Sequence, residues 1–437
     1  MTVEVDIVVA GGGVAGSTAA AAFASLGWSV LVVEPGQHDE RRLAGELIHP
    51  VGVAGLTRLC LLSPAFASAA RLDGFVVFPE ASLSGCIQLP YQRVGTEPAA
   101  ALALDHASIC HSLLATVSAL PGITVARGWR VTGLADTAAQ PIVQMRKAGA
   151  IDRVRCRLVV AADGASSPVR GYAGIGYQRT RTAVLTGYLV DRDALPLPAH
   201  GHIFTAAGGP VLAYAIDNER ARVLFNRPLS HRGALVDTAV NTAGLTVRLR
   251  ASVEAAEAAG TRRRFVSSDV AVAAVARDHV ALVGDAAGTC HPISASGMTM
   301  GIDDALRLAQ ALRDRDGDVA AGLARYAAER RSRQRARILL AAFLHDALGG
   351  TGPEMGMLRA AMHRYWSGSA HARAASMALL AMDDIHIGSI LLEFLRILAC
   401  GFLSSRDRPL DLLRGAMLTA RLSRPVMLHL LGAMRVQ

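Results

Sequence analysis

A glycine-rich turn near the start of the chain constrains the fold more than any other stretch. The apolar, β-branched residues 5–9 predict a buried parallel strand, Gly11-x-Gly13-x-x-Gly16 predicts a tight turn, and residues 19–26 predict a helix that ends at Gly27. A second apolar strand follows and ends at Glu34. This order of strand, glycine turn, helix and strand is typical of a dinucleotide-binding unit.

Each glycine of the turn has a mechanical reason. Gly11 permits the turn, Gly13 lets the backbone approach a pyrophosphate, and Gly16 lets the helix lie close to the strand. The phosphates would then meet the helix N-terminus, where unpaired N–H groups and the positive end of the helix dipole face them. Glu34 follows about 20 residues later, where an acidic residue binds a pair of ribose hydroxyls.

The size and charge of the chain limit the remaining possibilities. A length of 437 residues predicts two interleaved domains and an appendage, because one compact core seldom grows so large. The net charge is +9, but the basic residues are scattered and aromatic residues make up only 5%, so no stacking platform for nucleic acid is visible. An anionic membrane surface or an anionic cofactor explains the charge better, and we expect no nucleic-acid partner.

The cysteines and the N-terminus indicate the compartment. Six cysteines lie far apart with no Cys-x-x-Cys pair, which argues against a zinc site, a redox dithiol and a disulfide framework. Residues 1–6 contain two acids and no basic segment, and three glycines interrupt the apolar stretch that follows. We therefore expect no metal, no signal peptide and a reducing cytoplasmic location.

The stretch after Glu34 begins to resemble a known family. Taken alone, it is a polar loop with a basic pair followed by a Gly-Glu turn, which suits a solvated surface. Its spacing nevertheless resembles the squalene monooxygenase branch of the flavin monooxygenases, through Glu34, Arg42, Gly45, Glu46, Pro50 and Gly52. The resemblance implies that Glu34 holds the adenosine ribose of FAD and that Arg42 and Leu47 contact the cofactor.

Two later stretches resemble further FAD signatures. Residues 157–162 predict a buried strand that leads into Asp163-Gly164, within a run that fits the Asp-Gly-x-x-Ser-x-x-Arg pattern of flavin monooxygenases. Another strand delivers Asp285, a loop follows, and a helix begins at Gly297. Asp285 can accept hydrogen bonds from ribityl hydroxyls, and the helix N-terminus directs positive charge at the pyrimidine edge of the flavin ring.

Three positions depart from the family pattern. Ser108 stands where an arginine is usual, Ala295 stands where a glycine is usual, and Gly288 is also common in flavin reductases that saturate geranylgeranyl chains. By the signatures and the resemblance together, the predicted cofactor-binding residues are Gly11, Gly13, Val14, Ala15, Gly16, Glu34, Pro35, Arg42, Leu47, Val131, Asp163, Gly164, Asp285, Pro292, Gly297 and Met298.

The predicted architecture is an α/β fold in three parts. A Rossmann-like FAD-binding domain (residues 1–55, 101–175 and 270–335) is interleaved with an antiparallel β-sheet substrate domain (56–100 and 176–269), and a helical region (336–437) follows. The arginines of the substrate sheet are expected on a solvated face without a catalytic role, and they are Arg179, Arg181, Arg220, Arg222 and Arg227.

The C-terminal region leaves two interpretations open. Apolar residues recur at helical spacing from Ile387 to Phe402, but Glu393 and Arg396 interrupt them, so no uncharged stretch of about 18 residues is available to span a membrane. The last 32 residues mix arginines with leucines and methionines, as in a helix that lies in a membrane interface. A helical cap on the catalytic core is the alternative. A likeness of residues 402–410 to the squalene monooxygenase C-terminus slightly favours peripheral contact with the inner face of the cell membrane.

The resemblance implies an FAD-dependent monooxygenase. FAD would be reduced by NAD(P)H and would react with O2 to give a C4a-hydroperoxide, which transfers one oxygen atom to a lipophilic, prenylated or terpenoid substrate by epoxidation or hydroxylation. No second Gly-x-Gly-x-x-Gly is present for a nicotinamide, so the reductant must visit the same cleft or a partner reductase must supply electrons. His49, His106 and His291 are candidate general bases, and the catalytic residue is left open.

Other functions share parts of this pattern. The alternative is a flavin-dependent prenyl-chain reductase of the geranylgeranyl type, and a non-enzymatic FAD-binding scaffold is a more distant one. A flavin halogenase is disfavoured because Trp28, Trp129 and Trp366 form no Trp-x-Trp motif. High alanine and arginine usage suggests a GC-rich bacterium and a role in secondary metabolism.

Overall fold

The computed structural model describes residues 3–36, 43–92, 99–205, 209–228, 240–350 and 352–404. The strands in these ranges are β1 (Val3–Ala10), β2 (Val30–Glu34), β3 (Leu47–Ile48), β4 (Ala70–Leu72), β5 (Gly74–Phe78), β6 (Ile87–Pro90), β7 (Ala101–Ala103), β8 (Ile123–Arg127), β9 (Arg130–Ala135), β10 (Ile142–Lys147), β11 (Ala150–Ala161), β12 (Tyr177–Asp191), β13 (Gly201–Phe204), β14 (Val211–Ala215), β15 (Arg220–Pro228), β16 (Arg263–Val272), β17 (Ala276–Arg277) and β18 (Val280–Leu282). The helices are α1 (Val14–Ala24), α2 (Pro50–Arg58), α3 (His106–Ser118), α4 (Pro168–Tyr172), α5 (Val247–Ala258), α6 (Gly297–Arg313), α7 (Val319–Gly349), α8 (Pro353–Gly368), α9 (Ala370–Leu380) and α10 (Ile387–Ser404).

The glycine turn joins β1 to α1 as the sequence predicts. Ile7, Val8 and Val9 of β1 are fully buried, in keeping with a central strand covered on both faces. The helix begins at Val14, five residues before the predicted start, because Gly13 is its N-cap and the turn passes directly into the first helical residue. The alanine run therefore marked only the middle of α1.

An eight-stranded sheet carries the predicted Rossmann-like domain. Its main path runs β17-β18-β11-β1-β2-β8, and β9 and β10 form an antiparallel extension beside β11. The strands β18, β11, β1, β2 and β8 are parallel, so their carboxyl ends meet at one edge of the sheet. In open parallel sheets this edge is where ligands bind.

A second sheet of seven strands forms the other part of the α/β fold. Its order is β16-β12-β15-β14-β13-β5-β6, and its neighbours are antiparallel except for the parallel pair β13 and β5. The third sheet is small and consists of β3, β7 and β4. Residues 247–258 form α5, which the expected strands did not include, and this helix buries Leu249 and Val253 one helical turn apart. The sheets confirm the fold class, whereas the domain boundaries stay a prediction.

The C-terminal helices α7 to α10 follow, and α10 buries one side against its neighbours. Ile390, Ile397 and Leu398 are buried, while Leu392 and Leu395 are about half exposed. Glu393 is buried and its carboxylate accepts hydrogen bonds from Ser376 (2.6 Å) and Tyr365 (3.0 Å), so the charge is accommodated inside the helical packing. This arrangement supports the helical cap for residues 387–404.

The predicted membrane contact falls mainly on a different part of the chain. Residues 405–437, which contain the arginine-rich segment, lie outside the described residues, so their interfacial helix stays a prediction. Within the described ranges, no helix combines the length and the apolar character that crossing a bilayer requires.

Candidate functional site

The glycine turn is held by close backbone packing at two of its three glycines. Gly11 has φ +101°, and a Cβ atom there would lie 2.5 Å from the carbonyl oxygen of Ala162. A Cβ on Gly16 would overlap the carbonyl oxygen of Gly11. At Gly13, by contrast, a Cβ would meet no atom of the described residues within 4 Å. The first and third glycines therefore serve the fold, and the second leaves open space at the N-terminus of α1 for a ligand.

Glu34 is fixed at the carboxyl end of β2. Its carboxylate accepts hydrogen bonds from the backbone N–H of Gly12 (2.6 Å) and of Gly36 (3.1 Å), and the residue is almost fully buried. Each carboxylate oxygen keeps a further acceptor position. The fixed carboxylate thus has acceptor positions left for the ribose contact that the sequence predicts, and that contact stays a prediction.

The Asp-Gly signature follows β11 directly. Asp163 accepts a hydrogen bond from the backbone N–H of Val169 at its Oδ2 atom (3.0 Å), whereas Oδ1 is buried without a partner in the described part of the chain. Burial raises the pKa of Asp163, and a hydrogen bond from Ser167 opposes that shift. A buried acceptor without a partner beside a cavity is a position where a ligand hydroxyl or N–H group fits.

Arg170 connects the second and third signatures. Its guanidinium is fully buried, donates hydrogen bonds to the carbonyl oxygens of Ala165 and Ala286 (3.0 Å each), and lies over the ring of Tyr177 at 4.0 Å. Ala165 belongs to the Asp-Gly run and Ala286 follows Asp285. Arg170 therefore connects the loop that contains Asp163 to the loop that contains Asp285 through its hydrogen bonds.

A buried ion pair stabilises the backbone of the third signature. Gly284 has φ +57°, and its backbone N–H donates a hydrogen bond to Asp304 Oδ2 (2.9 Å). Arg330 of α7 contacts the other oxygen of Asp304 at 2.6 Å, and both side chains are buried, at 1% and 0% exposure. Burial raises the pKa of Asp304, and the guanidinium opposes that shift.

The carboxyl ends of the parallel strands surround a cavity of about 740 Å³. Most of the predicted cofactor residues line it, namely Gly11, Gly13, Val14, Ala15, Glu34, Pro35, Val131, Asp163, Gly164, Asp285, Pro292, Gly297 and Met298. Gly16 is buried behind the turn, and Leu47 is buried in β3 and is not among the lining residues. Arg42 lies outside the described residues. The individual FAD contacts of all these residues stay predictions.

The backbone at Ala295 explains why a glycine is usual at this position. Its φ is +51°, which lies in the left-handed region where glycine is preferred. An alanine in this conformation costs roughly 1–2 kcal/mol relative to the right-handed region. The loop before α6 thus keeps its shape with a residue less suited to it.

The far wall of the cavity is apolar and comes from the second sheet. Its apolar side chains come from five strands of that sheet and from α7, and they are Leu185, Ile203, Val211, Leu212, Leu224, Phe265 and Leu348. The cavity therefore extends from the glycine turn to a surface suited to a lipophilic substrate. The sequence predicted these strands but could not show which of their faces meets the cofactor domain.

A buried ion pair of the cavity-lining residue Glu46 corrects one expectation. Arg222 of β15 donates two hydrogen bonds to the Glu46 carboxylate (2.9 and 2.7 Å), and Tyr214 lies 3.5 Å from the same group. The side chains of Arg222 and Glu46 are only 13% and 3% exposed, so the prediction of a solvated Arg222 is wrong. Burial raises the pKa of Glu46, and Arg222 opposes that shift.

Known proteins place the chain in a family. A family model described as an FAD binding domain matches residues 4–340. The 6-methylpretetramide 4-monooxygenase of Streptomyces rimosus is 32% identical over 333 residues, which cover 71% of this chain and 77% of that protein. The chain belongs to the FAD-dependent monooxygenases.

Further relatives of this monooxygenase confirm the resemblance to squalene epoxidases and the fold. The squalene monooxygenase of Mus musculus is 26% identical over 317 residues, which cover 71% of this chain and 55% of that protein. The structure of p-nitrophenol 4-monooxygenase PnpA from Pseudomonas putida DLL-E4 superposes with a TM-score of 0.70 at 18% identity, and covers 91% of this chain and 99% of that one. The latter similarity shows the fold alone.

The structure separates the three candidate histidines of the monooxygenase. His49 is buried, with Nε2 2.9 Å from the carbonyl oxygen of Ser294 and Nδ1 2.8 Å from the hydroxyl of Tyr91. Because a carbonyl only accepts, Nε2 carries the proton and Nδ1 accepts from the tyrosine. Burial lowers the pKa of His49 to about 4. Both ring nitrogens of His49 are therefore hydrogen-bonded and the ring is neutral, so His49 has a structural role.

The other two histidines line the cavity and differ from each other. His106 Nδ1 lies 2.8 Å from the carbonyl oxygen of Gly45, and Nε2 lies 3.5 Å from the sulfur of Cys110. His291 is only 6% exposed, and neither of its ring nitrogens has a hydrogen-bond partner among the described residues. Sequence reasoning could not single out His291, because the hydrogen-bond partners of a histidine depend on residues far away in the chain.

Proposed function

We propose that this monooxygenase inserts one oxygen atom from O2 into a lipophilic substrate, a prenyl chain or a prenylated aromatic ring, with NAD(P)H or a partner reductase as the electron source. The observation that carries this proposal is the continuity of one cavity between the FAD signatures and the apolar wall of the second sheet. We also propose a place in bacterial secondary metabolism: the alanine- and arginine-rich composition is typical of a GC-rich bacterium, and one relative comes from Streptomyces rimosus.

Named relatives support the substrate class in two ways. One relative is named for 6-methylpretetramide and another for squalene. The names denote different substrates, but both relatives are monooxygenases, and an apolar wall suits a lipophilic molecule of either kind. The proposed reaction is therefore hydroxylation or epoxidation, and the site must exclude water while the oxygen is transferred.

The chain supplies binding and electrostatics, and the cofactor supplies the redox chemistry. Bound FAD takes up reducing equivalents and activates O2. Gly13 would leave space for the pyrophosphate, Glu34 would accept hydrogen bonds from the ribose, and the cavity-lining Asp285 would accept them from the ribityl chain. The N-terminus of α6 at Gly297 and the cavity-lining Arg337 both provide positive potential, which stabilises negative charge on a reduced flavin ring.

The alternative of a prenyl-chain reductase draws on Gly288, which is also common in reductases of that kind. In the structure Gly288 has φ +114°, and a Cβ there would lie 2.8 Å from the carbonyl oxygen of Val270. The backbone alone therefore requires a glycine at this position. Gly288 carries no separate support for the reductase.

The test supplies the FAD-loaded protein with NADH or NADPH, oxygen-18 gas and a panel of prenyl alkenes, prenylated phenols and fused-ring phenols. We expect substrate-stimulated oxidation of the nicotinamide and a product that is heavier by one oxygen-18 atom. A product that gains two hydrogens and no oxygen would instead establish the reductase. If no substrate in the panel is modified, with either nicotinamide or with an added flavodoxin or ferredoxin reductase system, the proposal is wrong.

A further inference from the structure

His291 is the polar side chain of the cavity whose environment is least satisfied. It directly precedes Pro292 in the loop that leads into α6, and it lines the cavity with 6% of its surface exposed. Leaving a buried donor or acceptor unpaired costs about 1–3 kcal/mol, so such groups are rare without a ligand or another function. Both ring nitrogens of His291 are buried and have no hydrogen-bond partner within the described ranges.

The surroundings of His291 keep it neutral. The ring of His345 on α7 packs against it in a tilted arrangement, with a centroid distance of 4.8 Å and an interplanar angle of 52°. Burial lowers the pKa of His291 to about 4, and His345 lowers it further. Arg337 of α7 lines the same cavity, whereas Asp269 on β16 interacts with Arg337 and His345. At neutral pH His291 therefore offers one N–H donor and one nitrogen acceptor.

A neutral acceptor in an apolar cavity suits a hydroxyl group better than an anion or a plain alkene. An alkene offers His291 no hydrogen bond, and it would leave both nitrogens unpaired in the complex. A hydroxyl group can donate to the free nitrogen, and an acidic one can also lose its proton. We propose that His291 accepts a hydrogen bond from an acidic hydroxyl, a phenol or an enol, on the substrate and takes its proton during oxygen transfer.

This inference rests on the proposed function and narrows its substrate class. During transfer the substrate O–H bond breaks, its proton goes to a ring nitrogen of His291, and its electron pair moves into the ring. The ring carbon beside the hydroxyl forms the new bond to one oxygen atom of the activated O2, the O–O bond breaks, and the other oxygen atom is released as water. The attacked carbon then loses its hydrogen as a proton and His291 returns a proton to the substrate oxygen, which restores the aromatic ring. The monooxygenase reaction already consumes the O2 and the reducing equivalents. A positioned base typically contributes about 10²- to 10⁴-fold to such a step.

The experiment compares a phenol with its methyl ether, because the ether has a methyl group in place of the hydrogen that His291 would accept. The probes are 2-naphthol and 2-methoxynaphthalene, and binding to the FAD-loaded protein is followed by the perturbation of the flavin absorption spectrum. The variants are His291→Phe, which removes both nitrogens, and His291→Gln, which keeps a hydrogen-bonding group. His371→Gln is the control, because His371 is exposed in the first turn of α9.

We expect the native protein to bind 2-naphthol about 5- to 150-fold more tightly than the ether. His291→Phe should abolish that preference, and His371→Gln should keep it. His291→Gln should keep part of the binding preference but lower kcat for the phenol by about 100-fold or more. The inference is overturned if the native protein binds both probes alike, or if His291→Phe keeps the preference and the rate.

The two proposals fail in different ways. If prenyl alkenes gain oxygen-18 at rates that His291→Phe leaves unchanged, the monooxygenase proposal stands and the role of His291 is wrong. If the phenol preference depends on His291 but no probe gains oxygen, the binding role stands and the proposed function is wrong.

Discussion

Removing Arg330 tests how far the third FAD signature depends on a buried charge. Arg330 and Asp304 form an ion pair at 2.6 Å with almost no exposure, and Asp304 also accepts from the backbone of Gly284. An arginine is always charged at neutral pH, so at 2.6 Å it holds the Asp304 carboxylate ionised. In the variant Arg330→Leu the carboxyl stays buried without its cation.

The expected cost follows from the protonation of Asp304. Keeping a carboxyl protonated at pH 7, when its ordinary pKa is about 3.9, costs about 4 kcal/mol at 1.36 kcal/mol per pH unit. This value agrees with the 3–5 kcal/mol typical for removing one partner of a buried ion pair. The folded variant then holds a proton that the unfolded chain has released. The stability difference from the native protein should therefore shrink by about 1.4 kcal/mol for each pH unit between 7 and 5.

The assay is urea unfolding of the FAD-loaded protein at fixed FAD concentration, followed by far-ultraviolet circular dichroism at pH 7, 6 and 5. Arg325→Leu is the control, because Arg325 lies on the same helix and forms ion pairs at 38% exposure, where solvent screens the charges and their loss should change stability little. Adding Asp304→Asn to Arg330→Leu should restore part of the stability at pH 7. A loss below about 1.5 kcal/mol, or one that does not change with pH, would refute the reasoning.

Three further predictions concern the cofactor and the buried histidines. Gly16→Ala should prevent stable folding, because the added Cβ would overlap the backbone of Gly11. Gly13→Ala should change apoprotein stability by no more than about 1 kcal/mol but weaken FAD binding at least 10-fold, as measured by the fluorescence of released flavin. Glu34→Ala should weaken FAD binding by about 5- to 150-fold in the same assay. An unchanged affinity would contradict the predicted contact between Glu34 and the ribose. His49 and His202 each have a pKa lowered to about 4 by burial, so the unfolded chain binds protons first as the pH falls from about 6.5 to 4. Stability should drop by up to about 3 kcal/mol per histidine over that window, and His49→Gln should flatten the drop in an acid titration followed by circular dichroism.

The sequence was most informative where a short run of residues specifies its own backbone. The glycine turn, Glu34 and the Asp-Gly and Gly-Asp pairs all follow buried apolar strands, and the parallel sheet brings their carboxyl ends together. The requirement for glycine or for an acid at such a strand end is local. Thirteen of the predicted cofactor residues therefore line one cavity.

Partnerships between distant residues could not be predicted in this way. Glu46 and Arg222 are 176 positions apart, and only the packing of β15 against the cofactor domain buries the pair. The basic run around Arg330 resembles any solvated helix until its partner in α6 is known. The unpaired state of His291 depends on what neighbouring segments fail to offer, and no pattern in the sequence encodes it.

The length of α7 has a consequence for how this enzyme can change during evolution. The helix has 31 residues, and at 1.5 Å per residue it extends about 46 Å. Its first half holds the loop of Gly284 through Arg330, and its last turns carry Leu348 into the apolar wall of the cavity. A bulkier residue at 348 would press on the same helix that holds this loop, whereas Leu185 and Leu224 belong to strands outside that connection. We therefore expect new ligand preferences to arise more readily at the sheet positions, because these can vary without displacing the loop of Gly284.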